Sequence, residues 1–337
     1  MEEVTKEIEE LIQDSQHIVV IQAENPEGAR KRYTIEQLDR ALKRFDEALK
    51  QWGWQNNNNA KRLFLVRQMI ARRLDFSNLH SIFTGTYAST KAQNDYEDGE
   101  HFLLRPFIST LCPLIEAQIN DDQRRIIEIL GQSSPAFEPT GKSSEKSLKA
   151  MLATAISAIN KLNEHWEGGT VRDVLLFARE QELCKFSPRL IIHLEREPRT
   201  EEYDDDVHSA DKADWLSDAF FGMPTSELRT YADFVQDNTP VSTQHGSKGE
   251  EYEDVLVVFD DIEAAWNQYS FTKLLTPRTS GEATDGQRER SRKLAYVCFS
   301  RAMVNLRILL FTADPEGALR ELIASGLFEQ SQVDILP

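Results

Sequence analysis

Residues 243–252 read Thr243-Gln244-His245-Gly246-Ser247-Lys248-Gly249-Glu250-Glu251-Tyr252, and Asp254–Phe259 follow as DVLVVF. The apolar run is the strongest strand signal in the chain, so the preceding ten residues form a polar loop between two β segments. Gly246 and Gly249 let a phosphate or sugar approach the backbone. The loop also offers an imidazole, an ammonium, a hydroxyl and a carboxylate. Taken alone, Gly-Ser-Lys-Gly fits an ordinary solvated loop equally well.

Working outward, strand character appears at Val241–Gln244, Arg307–Phe311, His17–Gln22 (HIVVIQ) and Leu63–Arg67 (LFLVR). Thr34-Ile35-Glu36-Gln37 reads as a capping box opening a helix. Its expected buried stripe is Leu38, Leu42, Phe45, Leu49 and Trp52. From about 76 to 235 the pattern is helical. Leu148, Leu152, Ile156, Ile159 and Leu162 share one face, and Thr170–Asp173 caps a helix running through Leu175, Leu176 and Phe177. An amphipathic helix is expected around 288–303. Strands near both ends with a helical block between them predict an α/β parallel-sheet domain interrupted by a mostly helical insertion. The divisions are 1–75, 76–235 and 236–337.

Composition bounds the rest. The 337 residues imply about two domains. The 17 Phe, 8 Tyr and 5 Trp argue against wholesale disorder. No apolar run approaches the ~20 residues a bilayer span requires, so no membrane role is expected. The start, MEEVTKEIEELIQDS, is acidic, unlike a secretory signal. Three scattered cysteines, Cys112, Cys184 and Cys298, form no disulfide or CxxC framework and point to a reducing, cytoplasmic setting. The net charge of −17 speaks against a phosphate-rich partner. It is unevenly placed, however. Residues 60–74 carry five basic residues and no acid, and residues 286–307 carry six against the single acid Glu289.

The second basic stretch, Arg290-Ser291-Arg292-Lys293-Leu294-Ala295-Tyr296-Val297-Cys298-Phe299-Ser300-Arg301-Ala302, sets Leu294, Val297 and Phe299 or Cys298 against a sheet. Arg301 then falls near the helix end. An arginine held there is commonly a solvated or salt-bridged residue. It also has the geometry of an arginine finger, which stabilises charge on a transferred γ-phosphate.

Together these segments resemble the last two motifs of the UvrD/Rep/PcrA family of superfamily I DNA helicases, T-x-H-x-x-K-G-x-E-F and R-R-L-x-Y-V-A-x-T-R-A. Thr243, His245, Lys248, Gly249 and Glu251 match the first, with Tyr252 as the aromatic. Arg292, Leu294, Tyr296, Val297, Arg301 and Ala302 match the second. Arg62–Arg67 resembles the motif opening the same RecA-like domain. The departures are Ser300 for Thr, Cys298 for a small residue, Glu250 for Leu, and Arg290-Ser291 for an acidic pair. Thr243–Lys248 and Trp266–Tyr269 look closest to the helicases that accompany OLD-type nucleases in phage defence.

The resemblance implies that Arg67 and Arg301 contact the ATP γ-phosphate, that Gly249 and Glu251 meet its ribose, and that Thr243 and His245 hold single-stranded DNA. The family's nucleotide-gripping first domain is not legible here. Ala136–Ser143 matches a relaxed [AG]-x4-GK[ST] pattern, but a helical segment precedes it and Pro139 stiffens it, so the match reads as a decoy. The chain therefore looks like the C-terminal half of a helicase. ATP and Mg2+ would bind only with the N-terminal RecA-like domain, and the isolated chain would be inactive. An alternative reading is a non-catalytic interaction module that binds a nuclease partner or DNA; a third is a nucleotide enzyme built around Lys142.

Other features read as bland. Glu201–Asp206 lacks the alternate spacing and glycine of a Ca2+ loop. His80, His101, His165, His193 and His208 show no ligand spacing. Trp52 and Trp54 read as core or helix-end anchors rather than base-stacking platforms.

Overall fold

The computed structural model describes residues 16–138, 147–244, 246 and 249–336. Six strands build one sheet: β1 (Gln16–Gln22), β2 (Lys61–Phe64), β3 (Val241–Thr243), β4 (Tyr252–Phe259), β5 (Ala302–Thr312) and β6 (Val333–Leu336). Their order is β3-β2-β4-β5-β1-β6, and every pairing is parallel. Parallel strands are covered on both faces and so need continuous apolar runs. Ile18–Ile21, Val255–Val258 and Ile308–Leu310 are accordingly inaccessible to solvent. The chain is α/β, with the layering of a RecA-like domain.

The chain divides into two compact units. One runs to Arg73 and resumes at Thr239, and the other is Leu74–Asn238. The second interrupts the sheet domain between β2 and β3. Its described residues contain helices and turns and no strand. Its core is aromatic: Phe83 stacks on Tyr96 at 5.1 Å, and Tyr96 stacks on Tyr231 at 5.0 Å. His101 meets the Phe83 ring edge-on at 4.8 Å.

In the sheet unit, the Thr34/Gln37 capping box forms as expected and opens the helix Ile35–Gln51. The buried stripe is rotated relative to the sequence reading. Ala41, Phe45, Ala48 and Leu49 are buried, while Leu38, Leu42 and Trp52 lie at the margin. Phe45 on the buried face meets the Phe64 ring of β2 at 5.8 Å. The guanidinium of Arg307 lies 5.9 Å from the Trp52 ring and 5.4 Å from the Trp54 ring, so both indoles are engaged within the fold.

Several boundaries differ from the sequence reading. The second strand stops at Phe64, and Arg67 is the first residue of a helix, Arg67–Arg73. The helix expected around 288–303 spans Asp285–Phe299, which leaves Ser300 and Arg301 as a link into β5. β5 is longer than its apolar stretch because its ladder with β4 extends back to Ala302. β6 carries too little hydrophobic pattern to be read alone; it exists through its pairing with β1.

In the helical unit, the Thr170/Asp173 box forms and opens Val171–Glu180, but Leu176 is exposed. The long helix Leu148–Gly168 buries Ala155, Ala158, Ile159, Leu162 and Trp166. Before the Gly-Lys-Ser decoy stands a helix, Gln123–Ser133, rather than a strand. The decoy's Pro139–Ser143 lies outside the described residues. In the acidic stretch, Asp204 accepts from the Asp206 amide at 2.9 Å and Asp205 pairs with Lys212 at 2.9 Å. All three cysteines are buried thiols. No helix among the described residues is long and apolar enough to cross a membrane.

Candidate functional site

The motif loop starts at the carboxyl end of β3. Gln244 extends the β2 ladder one step, its amide donating to the Phe64 carbonyl at 2.8 Å. Its buried side-chain Nε2 donates to the Val258 carbonyl at 3.2 Å. That glutamine therefore ties the loop's first residue across the ends of β2 and β4. Next, the Gly246 amide donates to both the carbonyl and the Oγ1 of Thr243 at 3.0 Å. Any Cβ at residue 246 would sit 3.0 Å from Thr243 Oγ1 and 3.1 Å from Ser242 Oγ, which explains the glycine. Thr243 Oγ1 accepts in this turn, and among the described residues its proton is donated to no acceptor. His245 lies outside the described residues, as do Ser247 and Lys248.

The loop returns to the amino edge of the sheet at Gly249, whose φ of +86° is left-handed. Among the described residues nothing stands within 4 Å of where its Cβ would be. Glu250 and Glu251 follow, both exposed. Arg301 meets this segment directly. Its Nη1 donates to the Glu250 carbonyl at 2.8 Å, its Nε to Val297 O at 3.1 Å, and its Nη2 to Ser300 Oγ at 3.1 Å. The Tyr252 amide donates back to the Arg301 carbonyl at 2.8 Å. Arg301 is half-exposed. A guanidinium has five N–H donors in a fixed fork. Three are spent on this chain among the described residues, and two are left at the surface beside Gly249.

The sheet register separates the sites read from the sequence into two groups. Leu63 pairs with Val257 and Tyr252 pairs with Ala302. Phe64 is thus level with Val258, six residues past Tyr252, or roughly 20 Å along the strand at ~3.3 Å per residue. Arg301, Gly249 and Glu251 gather at the amino edge. Thr243 and Arg67 follow the carboxyl ends of the neighbouring strands β3 and β2. The fold therefore does not bring Arg67 to Arg301.

At the carboxyl edge the structure also builds an ionic cluster that sequence reasoning missed. Glu263 takes Arg72 Nη1 at 2.5 Å and Arg73 Nη2 at 2.8 Å, with both its own side chain and that of Arg73 almost wholly buried. The Arg73 guanidinium also lies 4.9 Å from the Phe45 ring and 4.7 Å from the Phe64 ring. Asp260 ends β4 and accepts the amides of Ile262 at 3.0 Å and Glu263 at 2.9 Å through Oδ1. Its buried Oδ2 has no hydrogen-bond partner among the described residues. Burial, followed by the charge of Glu263, pushes the Asp260 carboxyl up to about 7. Burial alone would raise Glu263 too, but the Arg73 and Arg72 charges outweigh it and hold that carboxyl below its usual range. The only sequence signals were the Asp260-Asp261 and Arg72-Arg73 doublets, nearly 190 residues apart.

These residues test the groups the resemblance implies. Two spare guanidinium donors, an open left-handed glycine and an exposed carboxylate suit one edge of a nucleotide: phosphate oxygens and ribose hydroxyls. They do not suit Mg2+. Asp261 is spent on Ser270 and Phe271 at 3.0 Å and on the Thr272 amide and hydroxyl at 3.1 and 2.7 Å. Among the described residues no group of three or more His, Cys, Asp or Glu could hold a metal ion.

No protein-family model matches this chain, and no curated protein matches it.

Proposed function

We propose that this chain is the second-domain half of an ATP-dependent DNA helicase of the UvrD/Rep/PcrA type. The observation that carries the reading is the 2.8 Å bond from Arg301 to the Glu250 carbonyl, which couples a surface arginine to the Gly249–Glu251 segment. A first RecA-like domain would supply the main grip on ATP and Mg2+. Across the cleft, Arg301 would present its remaining donors to charge developing on the γ-phosphate. Gly249 would allow close approach of the sugar, and Glu251 would accept its hydroxyl protons. At the opposite edge, Thr243 would donate its hydroxyl proton to the backbone of single-stranded DNA, with His245 beside it. One loop thus joins the two edges, so a shift of Gly249–Glu251 on nucleotide binding would be felt at Thr243.

The test is Mg2+-dependent ATP turnover by the purified chain. The reading predicts none above background, since the phosphate-gripping half is not in these residues. Robust turnover would contradict it, and loss of that turnover in Lys142→Ala would favour the nucleotide enzyme built around Lys142.

A second reading, a non-catalytic module that binds a nuclease partner, has its own support. Residues 74–238 hold 29 acidic and 16 basic side chains, a net −13 of the chain's −17. Such a surface repels nucleic acid and suits a basic protein partner. Co-purification of a nuclease with the chain, lost at high salt, would distinguish it.

A further inference from the structure

We infer that Arg67 belongs to the nucleic-acid face with Thr243, and that it binds a phosphate of single-stranded DNA rather than the ATP γ-phosphate; this rests on the helicase reading above.

β2 and β4 are neighbours in the sheet, yet the chain leaving β2 reaches β3 on one side while the chain leaving β4 reaches β5 on the other. Adjacent parallel strands whose chains depart in opposite directions open a crevice at their carboxyl ends, where open α/β sheets take their ligands. Arg67 stands on the β2 side of that crevice, three residues beyond Phe64 and half-exposed at the start of the helix Arg67–Arg73. The helix packs against β3 as well as β2, and Phe64 pairs with Thr243 itself.

Arg67 is also held in that place. Five and six residues along, Arg72 and Arg73 lock onto Glu263, which fixes the helix to the segment following β4. The crevice therefore has a rigid wall carrying a cation at one strand end and a hydroxyl with a spare proton at the next. A phosphodiester matches that pair: the guanidinium meets its charge, and the threonine donates to an oxygen. The roughly 20 Å of strand between this edge and Arg301 excludes a shared γ-phosphate.

The test uses the whole chain and fluorescently labelled oligodeoxythymidine, with affinity measured over a range of salt. Each phosphate contact to single-stranded DNA contributes about 0.7 to the slope of log K against log salt. Arg67→Ala and Arg67→Gln should both flatten the slope by about that amount, and Arg67→Lys should restore most of it. Arg320→Ala removes one exposed positive charge elsewhere on the same unit and should leave the slope unchanged. An unchanged slope in Arg67→Ala, with the wild-type chain binding, would overturn the assignment and leave the helicase reading standing. Equal flattening by Arg67→Ala and Arg320→Ala would also overturn it, as a general charge effect. If the wild-type chain shows no salt-dependent binding, both the assignment and the DNA arm of the reading fall.

Discussion

Arg301 Nη1 donates to the backbone carbonyl of Glu250 at 2.8 Å, across 51 residues of sequence. The bond ties the link between the helix Asp285–Phe299 and β5 to the Gly249–Glu251 segment. At the start of the same motif, Gln244 is fixed by bonds to the Phe64 and Val258 carbonyls.

Glu263→Gln should be strongly destabilising. It leaves Arg73 almost wholly buried without its counter-charge, and breaking a buried ion pair by removing one partner costs about 3–5 kcal/mol. Chemical denaturation would read this as a lower midpoint with little change in slope. A loss under about 1 kcal/mol would show that the cation–π contacts to Phe45 and Phe64 suffice to hold Arg73.

Asp260 predicts a pH effect of one sign. Its folded carboxyl titrates near 7, above its unfolded value, so the folded state binds the extra proton. The stability this contributes is fully present at low pH and is lost as pH rises through about 7. Asp260→Asn keeps a good helix cap and removes the titration. The stability of the variant relative to wild type should rise from about pH 4 to about pH 7 and level off above that, the two proteins matching only below the unfolded carboxyl value of 3.8. Equal stability of the two proteins at pH 8 would exclude a strained Asp260 carboxylate.

His101 predicts the opposite sign in the helical unit. Burial, reinforced by the positive charge of Arg189, lowers its titration to about 4. The neutral ring then contributes stability above the unfolded value near 6.5, and this is lost as pH falls towards 4. His101→Gln should flatten the acid limb of unfolding over that window. A parallel acid limb in the variant would assign the sensitivity elsewhere.

How much of this was legible in sequence depends on the range of the determining interaction. The two capping boxes at Thr34 and Thr170 are local, and both formed as read. The apolar runs of β1 and β4 announced a buried parallel sheet. By contrast, β6 is defined by its neighbour β1, and the burial of Ala41 and Ala48 is set by tertiary packing rather than by the local pattern. The motif residues Gly249, Glu251 and Arg301 were picked out by the motif resemblance, and the fold gathers them at one edge. The separation of Arg67 from Arg301 could not be, because strand order and register come from the whole sheet. The Glu263 cluster was equally hidden, since its carboxylate and arginines meet only once β2 and β4 lie side by side.

In the proposed helicase function, Arg301 acts on the transferred phosphate. The direct measurement is ATP turnover and ATP affinity of Arg301→Ala in the motor completed by its first RecA-like domain. The account predicts a fall in kcat of about 10³-fold or more with ATP affinity mostly intact. Near-normal turnover would remove Arg301 from the site and contradict the account.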